Sequence, residues 1–185
     1  HKFGFPENYI GAMFIGTIDS FCQKLLGNIN ASYRQYDILD ANGLILFVMS
    51  RYRKLELTTG PGYFSRIQDL TSAWQTVNNE NIAYESIETA DPALYNSLLR
   101  LKETLEHDGY MDFSYAIRLA VEELNKIADK TGTDIEKYQY LFVDEYQDIN
   151  PIQEAFIKSF SRFLNSLFVV GDDDQAIYGW RGANV

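Results

Sequence analysis

The chain has 185 residues, of which 46% are hydrophobic, a length that suits one domain or one and a half small ones. Its net charge of −10 argues against a protein that binds nucleic acid mainly through its overall charge, because phosphate binding needs lysine and arginine. No apolar segment is long enough to span a bilayer, so we expect no membrane partner. Cys22 is the only cysteine, which excludes an internal disulfide and favours a cytoplasmic protein.

The first two of three zones differ in their predicted elements. Residues 1–27 contain a short apolar run and then apolar residues at helical spacing, which predicts a buried strand leading into a helix. Residues 28–109 show helical periods separated by glycine and proline and no strand pattern, so we predict that this zone is all-helical. Its last helix is predicted to be capped by Asp91, to open at Pro92 and to stop at Gly109.

The third zone, residues 110–185, returns to alternating elements. Asp112 is predicted to cap a helix, and Pro151 opens another helix between apolar strands at 140–143 and 167–170. Continuous apolar strands joined by a helix predict a parallel sheet that is buried on both faces. The helical zone therefore reads as an insertion between two pieces of one α/β domain.

Two acids, Asp144 and Glu145, come directly after the first of these strands. Open α/β sheets bind ligands at the carboxyl ends of their strands. In a nucleotide-hydrolysing site the first acid can hold Mg²⁺ through its water shell, and the second can orient or deprotonate the attacking water. The alternative is a strand that ends in a solvated acidic turn.

A second cluster follows the next strand. Residues 172–174 are three aspartates, and Tyr178, Trp180 and Arg181 lie just beyond them in a glycine-rich stretch. Ring faces and a guanidinium on a loop beside a phosphate site form a stacking platform for unpaired bases. The alternative is that the aromatic rings fold back onto their own core.

These segments resemble superfamily 1 DNA helicases of the UvrD/Rep/PcrA type. Val-Asp-Glu-Tyr-Gln-Asp-Ile-Asn at 143–150 resembles motif II, and Gly-Asp-Asp-Asp-Gln-Ala-Ile-Tyr-Gly-Trp-Arg-Gly-Ala at 171–183 resembles motif III. Gly-Thr-Ile-Asp-Ser-Phe-Cys at 16–22 is similar to motif Ib, and residues 112–113 lie where the family has an Asp-Phe-x-Asp-Leu element. The four elements follow the family order and spacing.

The resemblance implies a partial RecA-like P-loop NTPase domain. Residues 1–27 and 110–185 would form two pieces of this α/β domain, called 1A in the family, with a parallel sheet. Residues 28–109 would form the all-helical inserted subdomain 1B. The partners implied are ATP, single-stranded DNA with duplex junctions, and a second RecA-like domain of the parent protein.

The resemblance also implies roles at the nucleotide. Asp144 would coordinate the Mg²⁺ of Mg-ATP, and Glu145 would be the catalytic base. Gln175 would sense the γ-phosphate and take part in catalysis. Arg181 would couple the DNA contact to the nucleotide site.

On the DNA side, Tyr178, Trp180 and Arg181 would contact single-stranded DNA, with the two rings packed against bases. Thr17 and Ser20 would contact its backbone, which suits their small hydroxyls.

Two departures from the family pattern bear on these roles. Asp19 stands where motif Ib usually has histidine, and an acid there would repel a nearby phosphate. The Asp-Phe element lacks its second acid, so Asp112 is read as a helix cap alone.

The sequence contains no Gly-x-x-x-x-Gly-Lys-Ser/Thr loop, which the family places upstream of motif Ib. Without its amides and lysine the β- and γ-phosphates have no cradle, so we predict that this polypeptide does not hydrolyse ATP by itself. Because the first residue is not Met, we expect a piece of a longer protein.

Three interpretations of the parent protein stay open. The first is a DNA translocase that, by resemblance, moves three-prime to five-prime in DNA repair or replication restart. The second is a helicase–nuclease subunit of the AddA/RecB kind, and the third is a degenerate, non-catalytic DNA-binding module.

Overall fold

The computed structural model describes residues 13–57, 62–128 and 138–172. Within these ranges none of the helices is long and apolar enough to cross a membrane. In chain order the elements are α1 (Ile18–Ile29), a first 3₁₀ helix (Ala31–Gln35), β1 (Asp37–Leu39), α2 (Ala41–Ser50), α3 (Tyr63–Asn79), α4 (Tyr84–Ala90), α5 (Pro92–Asp108), β2 (Tyr110–Asp112), α6 (Phe113–Ala128), β3 (Tyr138–Val143), a second 3₁₀ helix (Tyr146–Asp148), α7 (Pro151–Ser161) and β4 (Leu164–Val169).

Strands β3 and β4 pair in parallel, and α7 forms the crossover between them. The register runs from Tyr138 opposite Leu164 to Val143 opposite Val169. Helix α7 begins at a capping box in which Asn150 and Gln153 bond to each other's backbone, with a proline in the first turn. The predicted strand–helix–strand unit is therefore confirmed.

The prediction that this sheet is buried on both faces is wrong. Tyr140 and Phe142 of β3 are 58% and 71% exposed, and Phe168 of β4 is 47% exposed. Phe142 and Phe168 are cross-strand partners, and their rings stack with centroids 4.8 Å apart. The apolar sequence of the two strands therefore does not match their burial, because no other element covers these rings in the described part of the chain.

The helical zone contains a strand, so the prediction that residues 28–109 are all-helical is also wrong. Strand β1 lies near the start of the zone and pairs in parallel with β2, just beyond its end. The Asp37 N–H also bonds to the Gly109 carbonyl at 2.9 Å. Three residues are too few to show a period-2 pattern, and this strand forms because the entry and exit of the zone meet.

The predicted boundaries of α5 are confirmed. Asp91 accepts the N–H groups of Ala93 and Leu94, and Pro92 opens the helix. Gly109 ends the helix with φ at 75°, a left-handed conformation that glycine adopts without steric cost.

Helix α6 joins the helical zone to the rest of the core. Tyr115 of α6 packs against Trp74 of α3, with ring centroids 5.1 Å apart, and both side chains are fully buried. Arg118, 7% exposed, donates to the Val77 carbonyl at 2.8 Å and to the Ile82 carbonyl at 2.9 Å. Its charge therefore lies at the carboxyl end of α3, where a cation is stabilised by the helix dipole.

Asp112 caps α6, as predicted. Its carboxylate accepts the Tyr115 N–H at 2.9 Å and the Ser114 hydroxyl at 3.1 Å. Burial raises the pKa of Asp112 above its usual range, although these hydrogen bonds oppose the shift. The ionised cap therefore has a desolvation cost that a neutral acceptor would avoid.

Replacing Arg118 by Met should lower the free energy of unfolding by about 2 kcal/mol, because the Ile82 carbonyl loses its charged donor inside the core. Urea unfolding measures the change. Arg53→Met, the same substitution at an exposed residue, is the matched control and should leave stability near wild type. Equal stability of the two variants would contradict this role of Arg118.

Replacing Asp112 by Asn keeps an oxygen for the Tyr115 N–H and removes the buried charge. Because the folded-state pKa of Asp112 is raised above 3.8, the stability linked to this group is full at low pH and is lost as the carboxyl ionises. The Asn variant should therefore gain stability relative to wild type between pH 4 and pH 7 in urea unfolding. A constant difference across that range would contradict the assignment.

Candidate functional site

The carboxyl ends of β3 and β4 stay paired beyond the strands themselves. The Val170 N–H bonds to the Val143 carbonyl at 2.8 Å, and the Tyr146 N–H bonds to the Val170 carbonyl at 2.9 Å. We call residues 143–147 together with 170–172 the acidic edge. The segments that follow the two strands therefore meet at one edge, as parallel pairing requires.

Asp144 and Glu145 lie exposed on the acidic edge. Glu145 has φ 53° and ψ 44°, a left-handed conformation that is uncommon for a residue with a side chain. Asp144 supports this turn, because its Oδ1 accepts the Glu145 N–H at 3.0 Å. Backbone strain of this kind is concentrated at functional sites, where the surrounding structure holds it in place.

Gln147, two residues further on, connects the two sides of the acidic edge. Its side chain is buried, and its Nε2 donates to Glu145 Oε2 at 2.6 Å. Its Oε1 accepts the Asp172 N–H at 2.9 Å. A Cβ added to Gly171 would lie only 2.7 Å from Gln147 Oε1 and 3.2 Å from the Tyr146 backbone nitrogen, so a side chain there would displace the amide or the loop. The role of Gln147 is not visible in the sequence, because this contact depends on how the two strands pair.

Asp144 suits a magnesium ion that keeps most of its water shell. Within the described ranges, no three His, Cys, Asp or Glu side chains cluster closely enough to hold a metal ion. Mg²⁺ in phosphoryl-transfer sites is typically held by one or two carboxylates together with substrate phosphates and water. An exposed carboxylate at the carboxyl end of a parallel strand fits that coordination, because it leaves most positions around the ion open to water and phosphate.

Thr17 and Ser20 form a separate cluster at the start of α1. Thr17 Oγ1 accepts the Ser20 N–H at 3.2 Å and caps the helix, and Ser20 Oγ donates to the Thr17 carbonyl at 2.8 Å. Asp19 lies in the same turn, and burial raises the pKa of its carboxyl. The hydroxyls are exposed, but they already serve the helix cap.

The other predicted site residues lie outside the described part of the chain. They are Gln175, Tyr178, Trp180 and Arg181. Their roles at the γ-phosphate and at single-stranded DNA stay predictions. Of the sequence-predicted residues, the structure thus brings together Asp144 and Glu145, alongside the backbone of Asp172.

A polar contact links the start of α7 to the helical zone. Asn150 Nδ2 donates to Asn79 Oδ1, at the end of α3, at 3.1 Å. Asn150 is also the cap of α7, so the helix that follows the acidic edge begins against the last turn of α3. Asp19 and Asp112 line a cavity of about 180 Å³ beside this contact.

The chain belongs to the UvrD/REP helicase N-terminal domain family, whose pattern it matches over residues 3–185. It is 29% identical over 168 residues to the ATP-dependent DNA helicase Rep of Buchnera aphidicola subsp. Baizongia pistaciae (strain Bp), an alignment covering 85% of this chain and 23% of that protein. It is 27% identical over 183 residues to the ATP-dependent DNA helicase PcrA of Staphylococcus aureus (strain Mu50 / ATCC 700699), covering 94% of this chain and 24% of the relative.

The prediction of a UvrD/Rep/PcrA-type family is therefore confirmed. A shorter stretch of 81 residues is 37% identical to PcrA of Staphylococcus epidermidis (strain ATCC 12228 / FDA PCI 1200), covering 44% of this chain. The chain spans about a quarter of the length of the Rep and PcrA relatives that it matches over most of its residues.

The left-handed backbone of Glu145 predicts a difference between two variants that both lack its carboxylate. Glu145→Gly should be more stable than Glu145→Ala by about 1 kcal/mol, because glycine adopts this conformation without the steric cost that a Cβ brings. Urea unfolding of the pair measures the difference. A more stable alanine variant would show that Glu145 is not held in this conformation.

Proposed function

We propose that this chain is the central part of the first motor domain of an ATP-dependent DNA helicase. The observation that carries the proposal is the acidic edge, where Asp144 and Glu145 lie exposed at the carboxyl end of a parallel strand pair. This is where α/β sheets bind nucleotides. The names of the Rep and PcrA relatives support the same activity for the longer protein.

Each acid has a distinct task in the proposed reaction. Asp144 would bind Mg²⁺ through its waters, and the ion when bound would neutralise charge on the phosphates. Glu145 would accept a proton from the water that attacks the γ-phosphate. Gln175 would report the state of that phosphate to Tyr178, Trp180 and Arg181 on single-stranded DNA.

The division of the chain belongs to the same proposal. Residues 1–27 and 110–185 would form parts of the RecA-like domain 1A, and residues 28–109 would form subdomain 1B. The pairing of β1 with β2 supports these limits, because it brings the two ends of the zone together. Packing of Trp74 against Tyr115 would fix the orientation of the insertion.

Neither hydrolysis nor unwinding is expected from these 185 residues alone, because they contain no phosphate-binding loop. ATP turnover by the isolated chain that disappears in Glu145→Gln would contradict this expectation. The degenerate-module alternative is disfavoured by Glu145, because an exposed carboxylate on a strained backbone is typical of a functional site. A cytoplasmic location stays a prediction.

In the full-length protein, Glu145→Gln should lower kcat for DNA-stimulated ATP hydrolysis about 10²- to 10⁴-fold, because the attacking water loses its base. Phosphate release with saturating oligo-dT measures this rate. Glu154→Gln in α7 makes the same chemical change at a partly exposed acid that pairs with Lys158, and should retain activity. Equal rates for the two variants would remove Glu145 from the mechanism.

A further inference from the structure

The amide of Gln147 has only one orientation that satisfies both of its neighbours. The Asp172 N–H is a donor, so the amide must turn its oxygen toward it. The nitrogen then faces Glu145 Oε2 and donates to it. The backbone after β4 therefore determines which end of the amide Glu145 meets.

This connection is tightly constrained by its surroundings. The side chain of Gln147 is 7% exposed, so its amide is held inside the fold while the Glu145 carboxylate that it contacts faces solvent. Gly171 leaves no space between the two loops, because an added Cβ would contact both Gln147 and Tyr146 within about 3.2 Å. A displacement of the backbone at 171–172 would therefore move the amide, and the amide would move the Glu145 carboxylate.

We propose that Gln147 is a positioning residue that holds Glu145 in its reactive orientation and ties it to the loop after β4. The inference rests on the proposed function, since it gives Glu145 the role of base. Asp172 lies on the loop that follows β4, so a displacement of this loop would reach Glu145 through the amide of Gln147. The two hydrogen bonds of Gln147 would thus couple the two loops, and we call this pair of hydrogen bonds the bridge.

Gln147→Glu separates the two halves of the bridge. The new carboxylate can still accept the Asp172 N–H, but it cannot donate to Glu145 and places a second negative charge beside it. The lost donor and the added charge both disturb the Glu145 carboxylate, so the chemical step should slow while ATP binding is unaffected. At pH 7, kcat should drop by up to about 100-fold, with KM for ATP unchanged.

Two further variants complete the test in the full-length protein. Gln147→Met keeps the side-chain volume but removes both hydrogen bonds, so it should lower kcat, although less than Gln147→Glu because it adds no charge beside Glu145. Gln68→Glu adds the same charge at an exposed position of α3 and should behave as wild type. Thermal unfolding of each variant shows whether the fold is retained.

The outcomes separate the two proposals. A lower kcat with unchanged KM for ATP in Gln147→Glu, together with a wild-type kcat in Gln68→Glu, supports the bridge. If Gln147→Glu matches wild type in kcat, or if Gln147→Met retains full kcat, Gln147 serves the fold alone and the inference is overturned. A wild-type protein without DNA-stimulated hydrolysis would instead overturn the proposed function, and the positioning role with it.

Discussion

Parallel pairing of β3 and β4 is the constraint on which the rest of the site depends. It sends the chain out of both strands at the same edge, so that residues distant in sequence become neighbours there. The Val170–Val143 hydrogen bond extends this pairing past the strands, and Gly171 allows the second loop to lie directly on the first. The left-handed turn at Glu145 then directs the chain into the short 3₁₀ helix that places Gln147 beneath the loop.

Buried polar contacts, as well as apolar packing, hold the helical zone against this frame. Arg118 binds carbonyls at the end of α3, and Asn150 binds Asn79 in the last turn of the same helix. If the partner of such a polar group shifts, the hydrogen bond is lost and water does not readily replace the partner, so the displacement costs free energy. The helical zone is therefore attached to α6 and to the start of α7 at specific points, which apolar contacts alone would not define.

The sequence was sufficient for features that depend on local chemistry, and insufficient for those that depend on distant neighbours. Asp91, Gly109 and the capped start of α7 were predictable because each satisfies a helix end by itself. The acids were predictable because they end an apolar strand inside a long motif. Strand β1 and the bridge of Gln147 were missed because each depends on a residue distant in sequence. Strand β1 forms only by pairing with β2, and Gln147 joins the two loops only by accepting the Asp172 N–H. The exposed faces of β3 and β4 were mispredicted because apolar runs do not reveal how many layers cover them.

The stacked pair of Phe142 and Phe168 has a practical consequence for work with this polypeptide in isolation. Together with Tyr140 they form an aromatic stripe open to solvent on a two-stranded sheet. Apolar stripes of this kind promote self-association, because a second molecule can cover the exposed rings. A recombinant product limited to these residues would tend to oligomerise or precipitate. Polar substitutions at Phe142 or Phe168 should increase its solubility.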